Sequence, residues 1–471
     1  MEDITRRSEE SNPDLTRRLG AFDSTMMMVG IVIGSGIFLT TGLMASSLPS
    51  ATWVLFSWAA GGFLILAGAL TYAELGACFP EAGGQYVYLR EAYGPLWGFL
   101  FGWKMFLVNM TGSIAALAVA FAEYAGYFYP VLSPQNRLLH LDIGFIGRGT
   151  ALDISSGQVL AVVVIWLFTG LNVLGVSLGK SIQNGLTVIK ISVLVVFVGL
   201  GLLAGKAAAP DLSFRIADMG AAQILAGLGL GLVAVFWAFD GWNNINYVAG
   251  EIKNPSRNLP LALVTGTIMI SVIYFLTNYV YFAALTPSEM AGEVRIAEKA
   301  ASVLFGPVGA GLLSAGVLIS VAGALNGAIF VGPRVYYAMA RDGLFFQRVG
   351  RIHPRFLTPA AALGLQAIWA SVLALTGGFE QLLVFAMFVG IAFWLAAAAA
   401  VFTLRRRRPD LPRPYRTWGY PWVPAVFVLT LAAILLNTVI KRPVQSLLGS
   451  GLVLLGLPVY WLWRRKSPPG G

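Results

Sequence analysis

Apolar runs of bilayer-spanning length recur along almost the whole chain, and no other feature restricts its fold as much. A helix needs ~20 apolar residues to cross the hydrocarbon of a membrane, and twelve such runs can be counted here. Charged residues make up only 11% of the 471, whereas soluble domains carry about 25%. The pattern predicts an all-α polytopic membrane protein with 12 transmembrane helices. Their placement also explains the net charge of +10, because 22 of the 32 Lys and Arg fall on one side of the expected spans. Positive charge collects on the cytoplasmic side of membrane proteins, so both termini are expected there, in the cell membrane. Basic runs such as Arg405-Arg406-Arg407-Arg408 read as topology anchors that favour anionic lipid, not as a nucleic-acid surface.

The expected organisation is a charged tail over 1–20, a ten-helix core over 21–405, two peripheral helices over 406–463 and a short tail over 464–471. Cys78 is the only cysteine, so no internal disulfide can form. The segment 79–94 is amphipathic and is expected to lie along the membrane surface. External loops are expected over 130–156 and 286–305, the second holding a short amphipathic helix, with span 8 starting near 306.

Two spans are interrupted. Span 1 contains Gly30-Ile31-Val32-Ile33-Gly34-Ser35-Gly36-Ile37-Phe38, and each glycine costs a helix roughly 1 kcal/mol relative to alanine. Two readings stand: a helix opened to offer bare N–H and C=O groups to a ligand, tolerated in lipid only against protein or water, or close packing through small residues. Span 6 carries Val235-Phe236-Trp237-Ala238-Phe239-Asp240-Gly241-Trp242-Asn243-Asn244 at its centre. Breaks at positions 1 and 6 are what a five-plus-five inverted repeat requires, with the ligand site where the repeats meet.

The motifs resemble a known superfamily. Gly34-Ser35-Gly36-Ile37-Phe38, Tyr72-Ala73-Glu74-Leu75 and Gly83-Gly84-Gln85-Tyr86 are similar to segments of the amino acid–polyamine–organocation superfamily. Trp237-Ala238-Phe239-Asp240-Gly241-Trp242-Asn243, continuing through Asn246-Tyr247, Glu251 and Asn254-Pro255-Ser256-Arg257, resembles the L-type amino acid transporters. Span 8, with Leu325-Asn326-Gly327, Arg334 and Arg341-Asp342-Gly343, fits the same family. The resemblance implies a leucine-transporter-like fold and exchange of L-amino acids. Eukaryotic members tether to a heavy chain through an external cysteine, which Cys78 cannot supply from the cytoplasmic end of span 2.

An amino acid presents a carboxylate, an ammonium and a side chain. N–H groups at Ser35 and Gly36 suit the carboxylate, at the positive end of the second half-helix. Carbonyls near Ile31, Val32, Trp237, Ala238 and Phe239 suit the ammonium, and Ile31, Val32, Phe236 and Trp394 line an otherwise apolar pocket. The resemblance places an aromatic gate at Trp237. Asp240 must be partnered, since a mid-membrane carboxylate costs on the order of 2.5–3.5 kcal/mol. It either caps the second half of span 6 or, as a similar string in a cationic amino acid and cystine exchanger suggests, faces a cationic substrate. Arginine–agmatine exchangers have a glutamate where this chain has Asn243.

Lys190 lies deep in span 5 with nothing acidic within a helical turn. In sodium-independent members that this chain resembles, a lysine there replaces a sodium ion, bonding span 1 carbonyls and a span 8 hydroxyl, here Ser320. Lys104, Glu74 and Glu123 read as structural, and His140 and His353 fall in loops. No phosphate-binding loop, metal cluster or nucleophile–base pair is present, so neither an enzyme nor a cofactor is expected. The reading is a sodium-independent exchanger of L-amino acids working by alternating access, with neutral substrates favoured. A cationic or broad-specificity transporter using Asp240, a proton-coupled amino acid or amine permease, and a transporter-like sensor are the alternatives.

Overall fold

In lipid a backbone must satisfy its own polar groups, and a continuous helix does so locally. The computed structural model, which describes residues 15–142, 151–204, 210–214, 219–293, 295–377 and 379–466, turns the apolar runs into helices accordingly. They are α1 (Ala21–Val32), α2 (Gly36–Ser47), α3 (Ala51–Cys78), α4 (Gln85–Tyr93), α5 (Pro95–Phe128), α6 (Ser156–Val173), α7 (Val176–Leu203), α8 (Ala221–Ala238) and α9 (Pro255–Ala284). There follow α10 (Ile296–Val331), α11 (Pro333–Arg341), α12 (Ala360–Thr376), α13 (Phe379–Arg407), α14 (Trp422–Lys441), α15 (Pro443–Leu454) and α16 (Gly456–Lys466). Among the described residues ten helices are long and apolar enough to cross a membrane, or 11 if α1 and α2, bent by 42° at their break, form one span. The twelfth expected span rests on α12, apolar but only 17 residues long.

The outer surface is apolar, with Phe63 74%, Leu203 82% and Leu312 70% exposed. The polar side chains turn inward instead. The central layer is α1, α2 and α8, enclosed by α3, α7, α9 and α10. α14 packs on α3 and α13 at the periphery, and it and the α15–α16 pair are the least buried of the crossing helices.

Two segments depart from the sequence expectation. The loop over 130–156 holds an antiparallel hairpin, β1 (Arg137–Asp142) and β2 (Ala151–Ser155). The run Ile296–Val331 is two helices that meet at the non-helical Gly306 (φ 74), so a short helix precedes a span starting near 306, as expected. The other departure is α4, which does not lie on the membrane surface. Its residues from Gln85 to Leu89 are buried, because the polar groups that make it look amphipathic bond inside the protein. Tyr86 donates to Asp342 at 2.6 Å, Tyr88 to Asn246 at 2.9 Å, and Gln85 to the Tyr72 hydroxyl at 2.8 Å.

Candidate functional site

At the first break α1 ends on Ile33 (ψ 82) and α2 restarts at Gly36, with Ser35 in the N-cap position. The Ser35 hydroxyl makes no cap bond, and the first N–H groups of any helix lack an internal acceptor. The opened carbonyls, by contrast, are taken. Lys190 Nζ donates to the carbonyls of Gly30 (2.8 Å), Ile33 (2.8 Å) and Ser320 (2.7 Å), and the side chain is 1% exposed. Each charge-assisted bond is worth about 1.5–3 kcal/mol, so three of them offset the few kcal/mol that a mid-membrane cation costs. The ammonium meets Ser320 at its carbonyl, not at its hydroxyl. An ammonium only donates, and the hydroxyl is itself a donor here, to the Ile33 carbonyl at 2.9 Å.

Below this contact α7 holds α1 along its length. Thr187 donates to the Met26 carbonyl, while Lys180 and Asn184 both donate to the Asp23 carboxylate.

The second break differs in build. α8 stops at Ala238, and its last carbonyls close on their own chain: Asp240 N–H donates to Trp237 and Trp242 N–H to Phe239. Gly241, at φ 96, then turns the chain into a 3-10 segment over Asn244–Glu251. The two breaks meet at Gly36, where an added Cβ would stand 2.8 Å from the Cα of Ala238. Opening and close packing are therefore both served by the same glycine. The Tyr274 hydroxyl on α9 reaches the carbonyls of both breaks, Val32 at 2.9 Å and Ala238 at 3.3 Å.

Between the breaks lies a cavity of about 130 Å³, where ~10–15 Å³ suffices for one water. Ile31, Val32, Ser35, Gly36, Trp237, Ala238 and Asp240 all reach its wall, and so does Trp394 on α13. Phe236 and Phe239 do not. Both are fully buried, Phe239 edge-on to Tyr274 at 5.1 Å. Asn243 also turns away, donating to Gln85 Oε1 at 2.6 Å, and Asn244 takes the place at the wall.

The far wall comes from α5, where Met105–Asn109 form a single π-helical turn. That turn follows Lys104, which lines the cavity at 4% exposure, with its ammonium 5.0 Å from the Phe101 ring centre. Lys104 was expected to be structural; instead it shares the cavity with Asp240, and each lies within electrostatic reach of the other. The Gly241 N–H is the carboxylate's other neighbour. Glu74 is structural as expected, bonded by Arg405 and the Thr417 N–H, and Glu123 is exposed. His140 and His353 sit outside the cavity, on β1 and in a turn.

A sequence profile described as Amino acid permease matches residues 19–462. The serine/threonine exchanger SteT of Bacillus subtilis is 30% identical over 458 residues, covering 96% of this chain and 98% of the relative. The human b(0,+)-type amino acid transporter 1 is 31% identical over 464 residues, covering 97% and 89%. The human large neutral amino acids transporter small subunit 2 is 28% identical over 465 residues, covering 96% and 82%. Two opened helices around a central cavity and full-length matches of this kind lead to one conclusion: the chain belongs to the amino acid permease family, in the amino acid–polyamine–organocation superfamily.

Proposed function

We propose that this protein exchanges L-amino acids across the cell membrane by alternating access, without sodium, and that neutral substrates are favoured. The observation that carries the substrate class is the cavity's charge. It holds one buried ammonium and one carboxylate, Lys104 and Asp240, so the site is neutral overall and a substrate with a charged side chain finds no uncompensated partner. The expected counter-charge role of Asp240 loses its footing for that reason. Names of relatives, a serine/threonine exchanger and a large neutral amino acids transporter, support the same class.

Ser35 and Gly36 at the start of α2 hold the substrate carboxylate. The ammonium takes the carbonyl of Ile31 at the cavity wall, since those of Val32 and Ala238 are engaged by Tyr274 and that of Trp237 by the Asp240 N–H. Trp237 is the gate. Lys190 stands where a sodium-coupled relative would place its ion, and it joins the first break to α10 through Ser320. Twelve spans, an inverted-repeat core over 21–405, two peripheral helices over 406–463 and cytoplasmic termini complete the arrangement. With Cys78 half-buried at the end of α3, no disulfide-linked partner is required.

Counterflow into proteoliposomes tests this reading. Labelled Ser, Ala, Leu and Phe are expected to accumulate against internal unlabelled amino acid, equally with sodium or choline outside, and Arg and ornithine weakly. Binding without accumulation would indicate a sensor, and stimulation by sodium would overturn the role given to Lys190.

A further inference from the structure

Lys104 and Asp240 carry opposite charge, line one cavity and sense one another, yet among the described residues they form no ion pair within 4.0 Å. Neither side chain makes a hydrogen bond to another side chain among those residues. A buried ammonium without an acceptor is costly, and a 4% exposed lysine has nowhere to snorkel. The Phe101 and Phe393 rings, 5.0 and 5.6 Å from the ammonium, give it only π faces. They block its retreat from the cavity without supplying a lone pair. The Asp240 carboxylate lines the same cavity from the turn that follows α8. The donor and the acceptor thus face one cavity without meeting within 4.0 Å.

We infer that Lys104 and Asp240 together form the side-chain selectivity site, and that it takes a side chain carrying both a donor and an acceptor, a hydroxyl or a carboxamide. The substrate's O–H or N–H donates to Asp240 and its oxygen accepts from Lys104, so one dipolar group closes the gap that the protein leaves open. This rests on the proposed amino acid exchange and narrows it, from neutral substrates in general to serine, threonine, asparagine and glutamine over aliphatic ones. Side chains lacking the polar group leave two buried charges unbridged, the situation in which polar sites discriminate most strongly. The pair also sets the sign of what is refused. Removing either member leaves the other uncompensated, and the site then selects for the opposite charge.

The test is a reciprocal charge removal, read by competition against labelled serine in proteoliposome counterflow. For wild type, asparagine and threonine are expected to compete at least about tenfold better than valine or leucine. Lys104→Met leaves Asp240 alone and is expected to raise competition by ornithine and arginine at least tenfold. Asp240→Asn leaves Lys104 alone and is expected to do the same for aspartate and glutamate. The double variant Lys104→Met/Asp240→Asn is expected to lose the preference for asparagine over leucine. If a single variant does not transport, quenching of the intrinsic tryptophan fluorescence by the same amino acids in detergent replaces the uptake readout. Failure of wild type to exchange any amino acid would overturn the functional reading and this inference with it. Wild-type exchange with no charge-selective gain in either single variant, by uptake or by quenching, would overturn the inference alone.

Discussion

The two broken helices solve the same problem in opposite ways. At the first break the freed carbonyls are satisfied from outside the helix, by Lys190 and Ser320 on one side and Tyr274 on the other. At the second, the chain satisfies most of its own carbonyls through the Gly241 turn and sends side chains, Asp240 and Asn244, into the cavity. The first break is therefore a backbone site held by its neighbours, suited to the carboxylate that every amino acid shares. The second is a side-chain site held by itself, suited to what differs among substrates. Changes around the first break should depress exchange of all substrates alike. Changes at the second should alter which substrates are taken.

The largest effect is expected at Lys190. Lys190→Ala takes the ammonium from three buried carbonyls, of which that of Ile33 keeps the Ser320 hydroxyl, a loss of about 3 kcal/mol, or roughly a hundredfold in exchange. Serine and leucine counterflow should fall together, at unchanged protein content of the membrane. A fall for one substrate only would break the comparison, because it would make Lys190 part of the selectivity site.

Trp237→Ala comes next. Trp237 reaches the cavity wall from the last turn of α8, and exchange is expected to drop at least about tenfold by loss of occlusion, with the protein expressed normally. Unchanged uptake kinetics would remove the gate from the second break and leave that site with selectivity alone.

Gly36→Ala sharpens the comparison at the point where the two breaks touch. Its Cβ would stand 2.8 Å from the backbone of Ala238, whereas a Cβ at Gly34 would stand 3.3 Å from the Ala324 methyl. Overpacking of the first kind costs about 1–3 kcal/mol. Exchange by Gly36→Ala is expected to fall roughly tenfold, and that by Gly34→Ala to change about twofold or less. Equal losses in the two variants would show that helix opening alone, not contact between the breaks, is what these glycines serve.

Much of this architecture was legible in the sequence, and the rest was hidden for identifiable reasons. The breaks announce themselves because Gly34, Gly36, Asp240 and Gly241 contradict an apolar helical run, and Lys190 because it is a charge within one. Facing is harder to read. Lys104 lies in a run as apolar as the others, and nothing in a 3.6-residue period tells a cavity from a packed neighbour. Asn244 keeps the helical spacing of Trp237, Asp240 and Gly241 and was legible on that ground, whereas Asn243, which the resemblance singles out, turns to Gln85. α4 reads as a surface helix because its tyrosines and Gln85 look like a wet face. Their partners Asp342, Asn246 and Tyr72 come from distant parts of the chain. Tyr274 gives no signal, since a tyrosine in an apolar span is unremarkable until its hydroxyl is seen to touch both breaks.

That hydroxyl is the basis of the smallest expected effect and the one most specific to the comparison. Tyr274→Phe keeps the ring, its edge-on contact with Trp58 at 5.4 Å and its contact with Phe239, and removes only the donor shared by Val32 and Ala238. A lost hydrogen bond of this kind costs about 0.5–1.5 kcal/mol net, so exchange should fall about twofold to tenfold. The two carbonyls it releases belong to residues of the cavity wall, where the proposed site for the substrate ammonium lies. The variant is therefore expected to weaken discrimination between an amino acid and its N-methylated form, while the serine-to-leucine ratio stays constant. If that ratio moves instead, the hydroxyl acts through the second break on the side chain, and the division between a backbone site and a side-chain site does not hold.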